Sequence, residues 1–280
     1  MCRGLFSLCA MTIAFWKMHG AGNDFILVDD RRTEFPASDA GWIRRLCARN
    51  TGVGSEGVIL IWPSTVAHFQ MRFLNPDGSV GEMCGNGARC VARLAYDQGI
   101  APPQMLIETG AGLVRAEIVD DLVRLFMTPP VAWRMSFPLE VCGWTGTCHS
   151  VNTGVPHAVI EMDALASVNI HELGRAIRYH PAFAPRGTNV NFMTVTGPGA
   201  LRLRTYERGV EAETPACGTG SVACALVAGR LGKVTPPVQV ACAHGDILVV
   251  DFRLKDDGAE DVTLIGPAVY IFEGQIKYRS

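Results

Sequence analysis

Two cysteines stand in the same local frame, Cys84-Gly85-Asn86-Gly87-Ala88 and Cys217-Gly218-Thr219-Gly220-Ser221, 133 residues apart. Small apolar residues follow each at helical spacing: Ala88, Val91, Ala92, Leu94 and Ala95 in one case, Val222, Ala223, Ala225, Leu226 and Ala228 in the other. Each sulfur is therefore expected at a helix N-terminus. Unpaired N–H groups and the positive end of the helix dipole favour thiolate there and lower the thiol pKa. The flanking glycines admit a ligand close to the backbone, and the free amides make an anion site suited to a carboxylate. Two such sites facing each other would set one sulfur on each side of a bound carbon. A thiolate takes the α-proton, the opposing thiol returns a proton from the other face, and the helix amides stabilise the charge pushed onto the carboxylate. Such an inversion needs no cofactor and no metal. One isolated C-G-x-G reads more simply as a small core residue at a tight turn; the duplication argues for chemistry.

Polar residues at strand ends surround the two motifs: Asn23 in Gly20-Ala21-Gly22-Asn23-Asp24-Phe25, Asn75 in Asn75-Pro76-Asp77-Gly78, His157 in Gly154-Val155-Pro156-His157, Asn189 in Thr188-Asn189-Val190-Asn191, and Glu207-Arg208-Gly209 upstream of Cys217. Singly, each has an ordinary explanation as a turn former or a satisfied structural histidine. Together they offer amide donors and acceptors, an imidazole, a carboxylate and a fixed cation, a set suited to a zwitterion.

The elements that must position these groups are mostly short. β-branched runs such as Phe25–Val28, Val58–Ile61, Gln70–Leu74, Leu113–Val119, Leu201–Tyr206 and Ile247–Leu254 are bounded by turn residues and predict strands. Helical spacing is best over Asp39–Asn50, Ala88–Gln98, Ile170–Tyr179 and Ser221–Leu231. The mixture predicts an α+β fold. Other features keep step with the cysteine repeat: Gly20-Ala21-Gly22 answers Gly154-Val155-Pro156, each before an apolar strand. A duplicated unit with pseudo-two-fold symmetry is expected, joined near Thr128-Pro129-Pro130, where paired prolines interrupt strand pairing. The expected division is an N-terminal extension over 1–10, a first half over 11–128 and a second over 131–266.

Composition agrees with a globular enzyme: 280 residues, 48% hydrophobic and 19% charged, with a net charge of −2. No basic run favours nucleic acid, and no apolar stretch is long enough for a membrane helix, which leaves a small-molecule partner. The ten cysteines include no C-x-x-C, which argues against a zinc ribbon or a dithiol redox pair. Mostly reduced thiols fit a cytoplasmic protein.

The motifs H-G-A-G-N-D-F, N-x-D-G-x(5)-C-G-N-G-A-R-C, G-x-P-H, N-V-N-F and Y-E-R-G-x(3)-E-T-x-A-C-G-T-G follow one another from about Phe15 to the C-terminus. In that order they resemble the diaminopimelate epimerase family. The resemblance implies two pseudo-symmetric β-rich domains, each wrapping a central helix, with the active site in the cleft between them and a final strand, 267–280, returning to the first. It implies an isomerase that interconverts LL- and meso-diaminopimelate for lysine biosynthesis, without cofactor, in a cytoplasmic homodimer. It makes Cys84 and Cys217 the two bases and has His157 and Glu207 support proton transfer. Asn23, Asn75, Asn189, Glu207 and Arg208 would hold the substrate, and Gly85-Asn86 and Gly218-Thr219 the reacting α-carboxylate. The chain departs from the family in having Val155 before the Pro-His pair, where Asn is frequent.

A proline or hydroxyproline racemase of the same architecture is the nearest rival, but it would have His where Asn86 stands. A pyridoxal-phosphate racemase needs a Schiff-base lysine, and none of Lys17, Lys233, Lys255 and Lys277 has a phosphate-binding glycine loop. A thiol hydrolase using His157 would leave the second cysteine unexplained. A binding protein on the same scaffold would hold the ligand without exchanging its α-proton.

Overall fold

The repeat in the sequence returns as a repeat in strand pairing. The computed structural model describes residues 11–278 other than Glu82 and His244, so the expected extension 1–10 lies outside the described residues. The first half runs β1 (Met11–Gly20), β2 (Asn23–Asp29), α1 (Ala40–Cys47), β3 (Val58–Trp62), β4 (Phe69–Leu74), β5 (Val80–Gly81), α2 (Gly85–Asp97), β6 (Gln104–Thr109), β7 (Gly112–Val119) and β8 (Leu122–Phe126). After β9 (Val131–Val141) the same order recurs in β10 (Trp144–Asn152), β11 (Pro156–Glu161), a π-helical turn at Ile170–Gly174 continuing into α3 (Arg175–Arg178), and β12 (Asn189–Gly197). It continues in β13 (Ala200–Glu207), β14 (Ala212–Thr214), α4 (Gly218–Arg230), β15 (Val238–Ala241), β16 (Ile247–Lys255) and β17 (Gly258–Pro267), and β18 (Val269–Tyr278) ends the described chain.

In the first half β1–β2 is antiparallel, β2–β3 parallel, β3–β4 antiparallel, β4–β6 parallel, and β6–β7 and β7–β8 antiparallel. The second half repeats that series as β10–β11, β11–β12, β12–β13, β13–β15, β15–β16 and β16–β17. Antiparallel pairing of β8 with β17, Leu125 opposite Leu264, joins the halves into one sheet. The flanking strands are also equivalent: β9 pairs with β10, and β18 returns to pair with β1. The outcome is an α+β fold of two β-rich halves, each curled round one helix.

Those helices are α2 and α4. Ala88, Val91, Ala92, Leu94 and Ala95 pack with Phe25, Leu27, Ile59 and Ile107 in one core. Val222 to Ala228 pack with Val159, Leu203, Val240 and Leu248 in the other. Both helices end at a glycine in the left-handed region, Gly99 (φ 66°) and Gly232 (φ 71°), where a side chain would be strained. Two outer cores repeat as well, one packed on α1 and one on the turn through Ile170 and Ile177. Truncating a residue such as Leu226, fully buried in α4, should cost about 2–5 kcal/mol.

The expected helices are present with shifted bounds. α2 and α4 begin at Gly85 and Gly218 rather than Ala88 and Ser221, because the glycines form the first turn. Asp39 caps α1 by accepting from the Trp42 N–H at 2.9 Å. Over 170–179 the helix is a π turn and a single α turn, with Gly174 packed so tightly on Tyr206 that a Cβ there would lie 2.6 Å from the Tyr206 Cβ.

Candidate active site

Cys84 and Cys217 are the N-cap residues of α2 and α4, both in extended backbone conformation, and neither side chain caps its own helix. Their sulfurs are consequently free to face outward, into one cavity of about 1000 Å³ lined from both halves. The two helix starts meet beside it. Asn86 Nδ2 donates to the Ala216 carbonyl at 3.3 Å, crossing from one half to the other, and to Asn23 Oδ1 at 3.1 Å. Asn23 Oδ1 also accepts from Cys84 Sγ at 3.6 Å, and Asn23 Nδ2 donates to Glu56. Opposite, Cys217 Sγ lies 3.6 Å from Thr219 Oγ1, and the Thr219 carbonyl accepts from Thr153 Oγ1 at 3.0 Å.

The expectation that the helix start lowers the thiol pKa is corrected by burial. The amides of Gly87 and Asn86 and the Arg89 charge do favour the Cys84 thiolate, but burial outweighs them and pushes the thiol up to about 11, with the Glu207 carboxylate adding to the rise. Cys217 is pushed further in the same direction by burial and by Glu207, against the opposing effects of Thr219 and the Gly220 amide. One carboxylate thus opposes a thiolate on either sulfur. Glu207 itself is raised by burial, partly offset by a hydrogen bond at 2.9 Å from Thr214 Oγ1. Burial therefore favours the thiol form of both sulfurs, and forming a thiolate needs compensating positive charge.

Asn23, Asn75, Cys84, Gly85, Asn86, Asn189, Glu207, Arg208, Cys217, Gly218 and Thr219 all line this cavity. Asn189, itself buried, is fixed by accepting from the Arg208 backbone N–H at 2.8 Å and donating to the Pro156 carbonyl at 3.2 Å. The Arg208 side chain forms no ion pair among the described residues. His157 is not brought to the cavity wall. It is fully buried behind, its Nδ1 3.0 Å from Asn191 Nδ2. Asn191 is oriented by Thr205 Oγ1, which donates to its Oδ1 at 3.0 Å, so the His157 Nδ1 accepts and Nε2 carries the proton. That Nε2 has no hydrogen-bond partner among the described residues. Burial, then the nearby Arg208 charge, pushes the imidazole down to about 3 and keeps it neutral. Val155 lines the wall.

Sequence reasoning assigned no role to Glu56, Thr153, Asn191, Arg89 or Thr214. Asn191 sits under the first turn of α4, where a Cβ on Gly220 would come within 2.3 Å of its Oδ1 and 3.2 Å of Cys217 Sγ. Its position two residues after Asn189 in the N-V-N-F motif was the available signal.

A family model described as diaminopimelate epimerase matches residues 15–133 and 149–271. Diaminopimelate epimerase from Aquifex aeolicus (strain VF5) is 42% identical over 274 residues, covering 94% of this chain and 97% of the relative. The enzyme of the same name from Chlorobaculum tepidum is 43% identical over 263 residues, covering 92% and 99%. Among solved structures, a hydroxyproline epimerase from Agrobacterium vitis superposes with a TM-score of 0.69 at 20% identity, covering 96% of this chain and 93% of that one. A phenazine biosynthesis protein from Bacillus anthracis gives 0.72 at 15% identity, covering 95% and 99%. At such identities the two structures speak to the fold alone.

Proposed function

Because the chain belongs to the diaminopimelate epimerase family, we propose that it is an isomerase that interconverts LL- and meso-diaminopimelate by a two-base mechanism, serving lysine biosynthesis. Cys84 and Cys217 are the two bases. One, as thiolate, removes the α-proton; the other, as thiol, protonates the opposite face. The amides that start α2 and α4, at Gly85-Asn86 and Gly218-Thr219, hold the α-carboxylate and stabilise the charge that accumulates on it. Asn23 orients Cys84. Arg208, Asn75 and Asn189 hold the distal amino-acid end, with Val155 leaving that end more dependent on Arg208. Glu207 keeps a resting sulfur protonated and passes its proton on during turnover. The buried, neutral His157 supports proton transfer only by bracing Asn191 and the start of α4. The enzyme acts in the cytoplasm as a homodimer.

The observation that carries this reading is the pair of N-cap cysteines on one cavity, each with its own set of helix-start amides. The test is α-proton exchange into heavy water with LL-diaminopimelate, proline and hydroxyproline side by side. Rapid exchange of diaminopimelate alone is expected. Faster exchange of proline or hydroxyproline would reassign the substrate, and ligand binding without any exchange would make the chain a binding protein.

A further inference from the structure

Among the described residues, Arg89 is the largest side chain that is wholly buried, and it forms no ion pair. It lies on the second turn of α2, one turn beyond Cys84, and its guanidinium enters the seam between the two helix starts. Nη2 donates to Asn86 Oδ1 at 2.9 Å, Nε to the Pro267 carbonyl at 3.2 Å, and Nη1 to the Gly85 carbonyl at 3.5 Å. The slot has glycine walls. A Cβ on Gly266 would stand 3.0 Å from Nε, one on Gly20 3.3 Å from Nη2, and one on Gly218, the first residue of α4, 3.9 Å from Nη1.

A guanidinium stays charged in a protein interior, and burying one without an acid partner is costly. Here it also adds to the positive ends of two helix dipoles that already converge. Three positive potentials meeting at one seam are unfavourable until an anion arrives. Resting on the proposed function, we propose that Arg89 is a positioning residue for the inversion. Its charge fixes the Asn86 amide against Asn23, and so the Cys84 sulfur, and balances the negative charge that grows on the substrate carboxylate as the α-proton leaves. The hydrogen bond to Asn86 Oδ1 turns Nδ2 toward Asn23 Oδ1 and the Ala216 carbonyl, the two contacts that tie the helix starts together. The titratable groups facing the guanidinium are Cys84 and Cys90 on its own helix, and Cys242 and Asp246 around the β15–β16 turn. Glu207 is the further charge that faces Cys84.

The test compares wild type, Arg89→Met and Arg89→Lys by kcat, KM and the pH profile of kcat/KM with LL-diaminopimelate, together with thermal midpoints. Arg89→Met is expected to lower kcat about 100-fold, because the lost interaction strengthens as charge develops. Its acid limb should move up by about one pH unit, since a thiolate forms less readily without the cation. Its midpoint should be unchanged or higher, because an unpaired buried charge has gone. Arg89→Lys should recover at least tenfold of that kcat, roughly, with the acid limb near the wild-type position. A purely structural role predicts instead a lowered midpoint, an unmoved acid limb and no rescue by lysine, and that pattern overturns the proposal. If Arg89→Met does not fold, Arg89→Lys decides alone: a kcat loss of about 100-fold or a displaced acid limb overturns the proposal, and a loss below about tenfold with the limb in place upholds it. Wild-type protein that exchanges no α-proton of diaminopimelate would remove the functional reading itself. Wild-type exchange with unaffected Arg89→Met kinetics would remove only the role of Arg89.

Discussion

The two helix starts share a frame but differ in what surrounds the sulfur. Cys84 is half-buried, hydrogen-bonded to Asn23 and followed one turn later by the buried Arg89. Cys217 is 7% exposed, has Thr219 as its side-chain hydrogen-bond partner among the described residues, and begins a helix buried along eleven of its residues with no charge until Arg230. Burial raises both thiols, but cation and amides hold Cys84 at about 11 while Cys217 climbs beyond it. Duplication thus supplied two equivalent backbones, and the side chains packed beneath them made one sulfur the easier thiolate.

Removing either sulfur is the severest challenge to that pairing. Cys84→Ala and Cys217→Ala should each lower the rate of inversion at least 1,000-fold, roughly the upper range of one acid–base group, whereas Cys142→Ala, in an exposed turn, should stay within about twofold. A polarimetric assay reads this directly. Full turnover by either alanine variant would end the two-base account.

Smaller losses should come from the distal end. Arg208→Lys should cost about 1.5–3 kcal/mol in kcat/KM for diaminopimelate, as one charge-assisted bidentate contact is lost. A short amino acid without a distal carboxylate should be affected far less, and Val155→Asn should leave KM unchanged or lower it. Equal proportional losses on both substrates would show that Arg208 does not read the distal end.

The second half also contains an acid-labile histidine with no counterpart in the first. The folded His157 titrates at about 3, below its ordinary 6.5, so the unfolded chain binds the additional proton between those values. Stability is therefore present above pH 6.5 and declines as pH falls toward 3. Between pH 7 and 5 this one group should remove about 2 kcal/mol, measurable by urea titration. His157→Gln should flatten that decline; an equally steep decline would place the acid sensitivity elsewhere.

The smallest expected difference lies between the resting sulfurs. Iodoacetamide should modify Cys84 about tenfold faster than Cys217 at pH 8, followed by peptide mass spectrometry. Equal rates would mean that Arg89 does not distinguish the two.

Most of this architecture was legible because duplication writes itself twice. The C-G-x-G pair located both central helices, and the apolar runs located β2, β3, β4, β7, β13 and β16. Strands β9 and β17 were not legible. β9 contains Pro138 and is exposed at nearly every other residue, as an edge strand tolerates, while β17 carries Asp261, Gly266 and Pro267, which read as turn formers. Of the expected site residues, Asn23, Asn75, Asn189, Glu207, Arg208 and those of both cysteine motifs line the cavity, whereas His157 lies behind it. Arg89 and Glu56 carry residue types that normally face water, and only tertiary packing turns one into the seam and the other onto Asn23.

The central claim is that two different sulfurs handle the proton on the two faces. Early in the reaction of LL-diaminopimelate in heavy water, mass spectrometry of the separated stereoisomers should find a deuteron at the inverted α-carbon of the meso product. The recovered LL substrate should be free of deuterium, because the donating thiol supplies the solvent-derived deuteron only to the opposite face, while the sulfur that took the substrate's own proton still holds it when substrate re-forms. Product retaining the original proton, or recovered substrate labelled as fully as product, would mean that a single base serves both faces and would contradict the account.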